Sequence, residues 1–146
     1  MRRCVFKGLL QPSVLAVIAF LPACQTGYLG GGDEYKVPFR AELLASSVSG
    51  RPGEMVELPF RILPLYSGPD LIACTWITSL NDLPPPQITE STSGLACVRF
   101  SGLGPADTKR PLEVAPQASP GAWPLVLHVA NEASRHSLRF TLEVRP

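Results

Sequence analysis

The stretch His136-Ser137-Leu138-Arg139-Phe140-Thr141-Leu142-Glu143-Val144 decides the fold. Leu138, Phe140, Leu142 and Val144 recur at two-residue spacing, with Arg139, Thr141 and Glu143 between them, the pattern of a strand that buries one face. Upstream, Trp123, Leu125, Leu127 and Val129 make a second inward set alternating with Pro124, Val126 and His128. The polar segment 131–135 joins the two runs as an antiparallel hairpin. A third alternation, over 54–62, places Val56, Leu58, Phe60 and Ile62 on one face and Met55, Glu57, Pro59 and Arg61 on the other. Pro59 cannot donate to a ladder, so this strand is expected to lie at an edge or carry a bulge there. Weaker strand candidates are 37–45, 71–79, 87–90, 95–101 and 111–115. Turn signals such as Arg51-Pro52-Gly53 and Ser119-Pro120-Gly121 separate them. The expectation is an all-β antiparallel sandwich of seven to eight strands.

Composition agrees. Sixteen Pro and twelve Gly make 28 of 146 residues, a density that helical bundles cannot absorb, because an interior proline removes a backbone donor and clashes with the preceding turn. With 45% hydrophobic and 17% charged residues the chain can fill one globular core. A formal charge of +1, without a Lys/Arg cluster in the body of the chain, leaves no electrostatic footprint for nucleic acid.

The first 23 residues have the layout of an export signal. Arg2, Arg3 and Lys7 precede an unbroken apolar run over 14–21. That run is too short for a spanning helix, which needs about 20 apolar residues. The segment closes in Leu21-Pro22-Ala23-Cys24. It resembles the bacterial lipobox, with an aliphatic residue three before the cysteine, and differs at Pro22, where Ala or Ser is usual. The resemblance implies a lipoprotein: cleavage before Cys24, a diacylglyceryl group on its thiol, palmitate on the new N-terminus and attachment to a membrane through that lipid. Removing Arg2, Arg3 and Lys7 leaves 10 of the 13 basic residues against 12 acidic ones, a net of −2, so nothing draws the mature chain onto anionic headgroups. Gln25 follows the cysteine in place of Asp, which by the enterobacterial sorting rule implies the outer membrane. Residues 24–35, with four glycines, read as a short tether, and 36–146 as the sandwich domain.

Of the four cysteines, Cys4 leaves with the signal and Cys24 takes the lipid. Cys74 and Cys97 remain as an even pair in an exported chain, which implies a disulfide. A redox or metal role would call for a short C-x-x-C spacing or a nearby histidine, and the sequence has neither.

Over residues 37–144 the chain is similar to the bacterial immunoglobulin-like domains of secreted and envelope proteins. The likeness rests on Arg51-Pro52-Gly53-Glu54 opening an alternating strand, on a strand leading into Leu83-Pro84, and on Ser119-Pro120-Gly121-Ala122-Trp123 before the closing hairpin. It implies an immunoglobulin-like sandwich with a spacer, adhesive or assembly role.

The only histidines are His128 and His136, and no Ser, Cys or carboxylate stands at a recognisable catalytic spacing from either. An outward His128 on a strand reads as surface decoration. Trp76 and Trp123 read as core or strand-end packing. No metal motif, cofactor or small-molecule substrate is expected, and the chain is not expected to be an enzyme. The segment Asn81, Asp82, Leu83, Pro84, Pro85 and Pro86 has a built-in recognition shape, since three consecutive prolines favour polyproline II. It is the candidate partner-binding loop, with 101–109 as a second. The expected role is that of a non-catalytic binding or scaffold subunit of an envelope protein assembly. Inhibition of a hydrolase by an inserted loop and a secreted adhesion or spacer module are the alternatives.

Overall fold

The computed structural model describes residues 33–68 and 70–146. The expected signal 1–23, Cys24 and all of the tether before Asp33 lie outside the described residues. No helix among the described residues is long and apolar enough to cross a membrane.

The body is an all-β sandwich of eight strands. One sheet holds β1 (Phe39–Leu43), β3 (Met55–Pro64) and β6 (Ala106–Glu113) in the order β1-β3-β6. The other holds β2 (Ser47–Gly50), β4 (Leu71–Ser79), β5 (Ala96–Phe100), β7 (Gly121–Ala130) and β8 (Arg135–Val144) in the order β2-β8-β7-β4-β5. All neighbours are antiparallel except β2, which runs parallel to β8.

The first expected strand, 37–45, is β1 alone, and β2 is a further strand that the sequence pattern did not indicate. β1 pairs with β3 in the small sheet, and the chain then crosses to the large sheet as β2. Pro59 explains where the crossing falls and corrects its own placement. β3 is the middle strand of its sheet, not an edge. Leu44 donates its N–H to Pro59 O at 3.0 Å, but Pro59 has no N–H to return, so the β1 ladder stops there. The expected strand 87–90 is also absent. Ile88 makes an isolated bridge to Val114, and the chain then forms the single-turn helix α1 (Glu90–Ser93). The last three residues of the expected tether, 33–35, are part of a folded turn. Asp33–Lys36 folds as a 3-10 turn, with Glu34 bonded to Arg99 at 2.8 Å and Tyr35 O accepting from Glu132 N at 2.9 Å.

The alternating sets form the core as expected. Leu58, Phe60 and Ile62 face Leu125, Leu127, Phe140 and Leu142, each no more than 3% exposed. Each such side chain contributes about 1.5–3 kcal/mol of transfer free energy. The turn 51–54 uses Pro52 and Gly53 as the second and third residues of a β-turn, with Gly53 at φ 81° and Glu54 N donating to Arg51 O at 2.9 Å.

The strand directions sort the connections into two ends. The near end carries the 3-10 turn, the segments 65–68 and 101–105, and the β7–β8 hairpin tip, held together by Leu65 N to Pro38 O at 3.0 Å and Gly68 N to Gly102 O at 3.2 Å. The far end carries the turn 51–54, the β4–β5 connection and the segment leading into β7. Ten-residue strands separate the two ends by about 33 Å.

Candidate functional site: the outer face of the large sheet and its far-end cleft

β4 turns Ala73, Thr75 and Ile77 into the core, which leaves Cys74, Trp76 and Thr78 on the outer face. Register sets Trp76 of β4 opposite His128 of β7, and His128 opposite Ser137 of β8. The indole and imidazole stack with centroids 4.9 Å apart and planes inclined by 13°. The Arg135 guanidinium lies 5.4 Å from the centre of the Trp76 ring, within cation–π range.

His128 is 4% exposed, so it is not the surface decoration expected of an outward strand residue. Both ring nitrogens have hydroxyl partners: Thr78 Oγ1 lies 2.9 Å from Nε2 and Ser137 Oγ lies 3.0 Å from Nδ1. A hydroxyl can donate or accept, so either neutral tautomer is satisfied. Burial pushes the imidazole below its ordinary pKa and Arg135 adds to this, against a smaller upward pull from Asp82. Asp82 Oδ1, 3.8 Å from Nε2, therefore faces a neutral ring at pH 7. His136 is committed elsewhere, with Nε2 2.9 Å from Phe39 O and its ring against Phe39. Trp123, by contrast, packs against the core as expected, its Nε1 donating to Ser119 O at 3.1 Å.

Beyond Thr78 the chain leaves the sheet through the candidate loop. Asn81, Asp82, Leu83, Pro84 and Pro86 are exposed, and Pro85 is buried. Ser79 N donates to Leu83 O at 2.8 Å and Asp82 N to Ser79 O at 3.2 Å, a tight turn that holds Asp82 in the left-handed region at φ 59°. The proline run is thus pinned through Pro85. Together with α1 it walls a cleft of about 440 Å³, lined by Trp76, Thr78, Asp82, Pro84, Ser93 and Leu95 among others. Leu83 and Leu95 stand beside it at 62% and 70% exposure. A polar hollow of about 530 Å³ at the 51–54 turn, beside Arg145, has no comparable grouping of aromatic and apolar side chains.

A buried arginine holds the second wall in place. Arg110, 7% exposed on β6, donates from Nη2 to Thr92 O at 2.7 Å and Gly94 O at 2.5 Å, and from Nη1 to Thr75 Oγ1 at 3.2 Å. Its Nε has no partner, and burial lowers its pKa. Thr92 Oγ1 accepts from Glu113 N at 2.9 Å, and Thr89 Oγ1 donates to Glu113 Oε2 at 3.1 Å. Cys74 and Cys97 face one another in register across β4 and β5 and are disulfide-bonded.

No protein-family model matches the chain, and no curated protein matches it in sequence. Among solved structures it is similar to a family 123 glycoside hydrolase from Clostridium perfringens, at 8% identity and TM-score 0.47, over 73% of this chain and 27% of that one. It is similar to the periplasmic chaperone SfaE at 14% identity and TM-score 0.47, over 73% of this chain and 57% of that one. A cohesin–dockerin complex from Clostridium thermocellum is similar at 15% identity and TM-score 0.35, over 72% of this chain and 99% of that one. The chain therefore spans about a quarter of the first of these proteins and little more than half of the second. None of these likenesses assigns an activity or a partner.

The second candidate loop, 101–109, runs into a strand in its last four residues. β6 begins at Ala106, leaving 101–105 at the near end, opposite the 81–86 loop. Among the described residues no three His, Cys, Asp or Glu side chains converge where they could hold a metal ion. Sequence reasoning missed the Trp76–His128 stack, because β4 and β7 are far apart in the chain and their register follows only from the completed sheet. Arg110 did leave a signal. It shares a two-residue alternation with Thr108 and Leu112, which places a guanidinium among inward positions.

Proposed function

We propose that this chain is an envelope lipoprotein, acylated at Cys24 and held at the outer membrane or cell surface, whose sandwich is a non-catalytic binding subunit of a protein assembly. The far-end cleft with Leu83 and Leu95 beside it is the contact region. The observation that carries this reading is the grouping of Trp76, Pro84, Leu83 and Leu95 around a preformed cleft at the end opposite the one where the chain enters the sandwich. Preformed, mostly apolar concavities with a few fixed polar groups are where proteins take up ligands and partner segments. The free edge of β5, which pairs only with β4, continues from Leu95 and offers strand addition as the backbone part of the contact. His128 supports the non-catalytic role, since both its nitrogens are occupied and its face is covered by Trp76. The test is a photo-crosslinking residue at Leu95 in the full chain, expressed in its native envelope, with Arg40 as the control position. One discrete adduct at position 95, lost with Trp76→Ala and absent at position 40, is the expected result. Equal or no crosslinking at the two positions refutes the contact site.

A further inference from the structure

The near end carries exposed apolar side chains that the far-end cleft does not use. Leu65 is 48% exposed, Tyr66 70% and Leu103 81%. They lie on the segments 65–68 and 101–105, joined by the Gly68 N to Gly102 O bond of 3.2 Å. The same end receives the incoming chain, because Asp33–Lys36 packs beside β4 and Glu34 pairs with Arg99. From Cys24 to Asp33 is nine residues, which reach at most about 30 Å at full extension. That is no longer than the sandwich itself, at about 33 Å.

We propose that this end is a membrane-contacting surface, with Leu65, Tyr66 and Leu103 seated in the interfacial layer of the bilayer that holds the lipid. The inference rests on acylation of Cys24. Three apolar side chains are too few to hold a domain on a bilayer, but a tethered domain meets the bilayer at high effective concentration, so they need only orient it. Tyrosine suits this layer, having an apolar ring and a polar tip. The charges nearby carry no excess of cations: Arg99 lies 2.8 Å from Glu34 and 3.7 Å from Asp70, one cation against two carboxylates. The contact is therefore apolar and does not call for anionic lipid. In this pose the far-end cleft points away from the bilayer toward a partner.

The experiment uses the full chain expressed with its signal in a bacterial host and reconstituted into phosphatidylcholine vesicles. An environment-sensitive fluorophore is attached at Leu103→Cys or, at the far end, at Asn81→Cys, with the labelled position and the mass at Cys24 read by mass spectrometry. Quenching by lipids with a shallow nitroxide is expected to be at least twofold stronger at position 103 than at 81. Acylated, vesicle-bound protein with equal quenching at both positions overturns the membrane surface and leaves the anchor standing. Unacylated protein whose position 103 is still quenched when vesicles are added overturns the anchor and keeps the surface. Unacylated protein with no quenching overturns the anchor and, with it, a contact that depends on the tether.

Discussion

Trp76 and His128 stack face to face at 4.9 Å on the outer side of the five-stranded sheet, although 51 residues separate them along the chain. The contact couples β4 to β7 on the face away from the core, where a sheet buried on one side would otherwise show water a row of polar residues. It also fixes the indole in the lining of the far-end cleft. The small sheet treats its outer face differently. There Glu42, Arg61 and Asp107 form a row across β1, β3 and β6, with Arg61 Nη1 3.5 Å from Glu42 and its Nε 2.5 Å from Asp107. That face is a solvated ion-pair lattice, and such pairs contribute little to stability.

The first prediction concerns acid. Folding lowers the pKa of His128 below its ordinary 6.5, chiefly through burial, so the unfolded chain takes up the proton more readily. The resulting stability is complete above about pH 6.5 and is lost as pH falls from there through the lower folded-state value. Urea midpoints measured between about pH 8 and pH 5 should fall with pH. His128→Gln should flatten that fall while costing about 1 kcal/mol at pH 8 through the lost stack. An unchanged slope in the variant would show that another group titrates there.

Arg110 ties α1 to the sandwich. Arg110→Ala leaves the carbonyls of Thr92 and Gly94 without their guanidinium donor inside the protein, a loss of about 2–4 kcal/mol in chemical denaturation. Arg110→Met fills more of the space but restores no donor, so it should recover only part of the loss. Full recovery by methionine would assign the role of Arg110 to packing alone.

Much of the fold was legible because burial enforces a two-residue period. The sets beginning at Val56, Trp123 and Leu138 turned inward as the alternation required, with Trp123 and Leu138 half-buried at their ends. Residues 87–90 were misread because Ile88 is the only strongly apolar residue in that stretch and its one bridge to Val114 cannot hold a strand. Pro59 was misread because the rule that confines proline to edges concerns its missing donor. A middle strand also tolerates proline where its neighbour departs, as β1 does at Leu44. The candidate loop was legible from three prolines in a row. The cleft behind it was not, because its floor and second wall come from β4 and α1, brought together by long-range register and by Arg110.

Gly50 and Gly53 both lie within five residues of the start of β3 and should fail for different reasons. A Cβ at Gly50 would stand 2.5 Å from Val56 Cγ1 and 3.2 Å from Val114 Cγ2, so Gly50→Ala overpacks the join between the sheets and should cost about 1–3 kcal/mol. At Gly53 there is open space but φ is 81°, and Gly53→Ala should cost about 1–2 kcal/mol in backbone strain alone. Gly104→Ala, with neither obstacle, serves as the reference in thermal unfolding. Equal effects at positions 50 and 104 would contradict the packing described at the end of β2.

The Cys74–Cys97 bridge spans 23 residues and joins the edge strand β5 to its one neighbour, β4. Constraining a loop of that length in the unfolded chain is worth about 3 kcal/mol, so Cys74→Ala/Cys97→Ala should lower stability by about that amount. The loss should also be local first. β5 has no second neighbour, and the connection it ends carries Leu83, α1 and Leu95, whereas β7 and β8 pair along ten residues and bury their side chains in the core. Hydrogen exchange of the double variant should therefore show Ala96–Phe100 losing protection well before the β7–β8 hairpin. Uniform loss across both would mean that the bridge acts only through the unfolded state. Selective loss would identify it as the clamp that keeps the cleft wall in place when the edge of β5 is occupied.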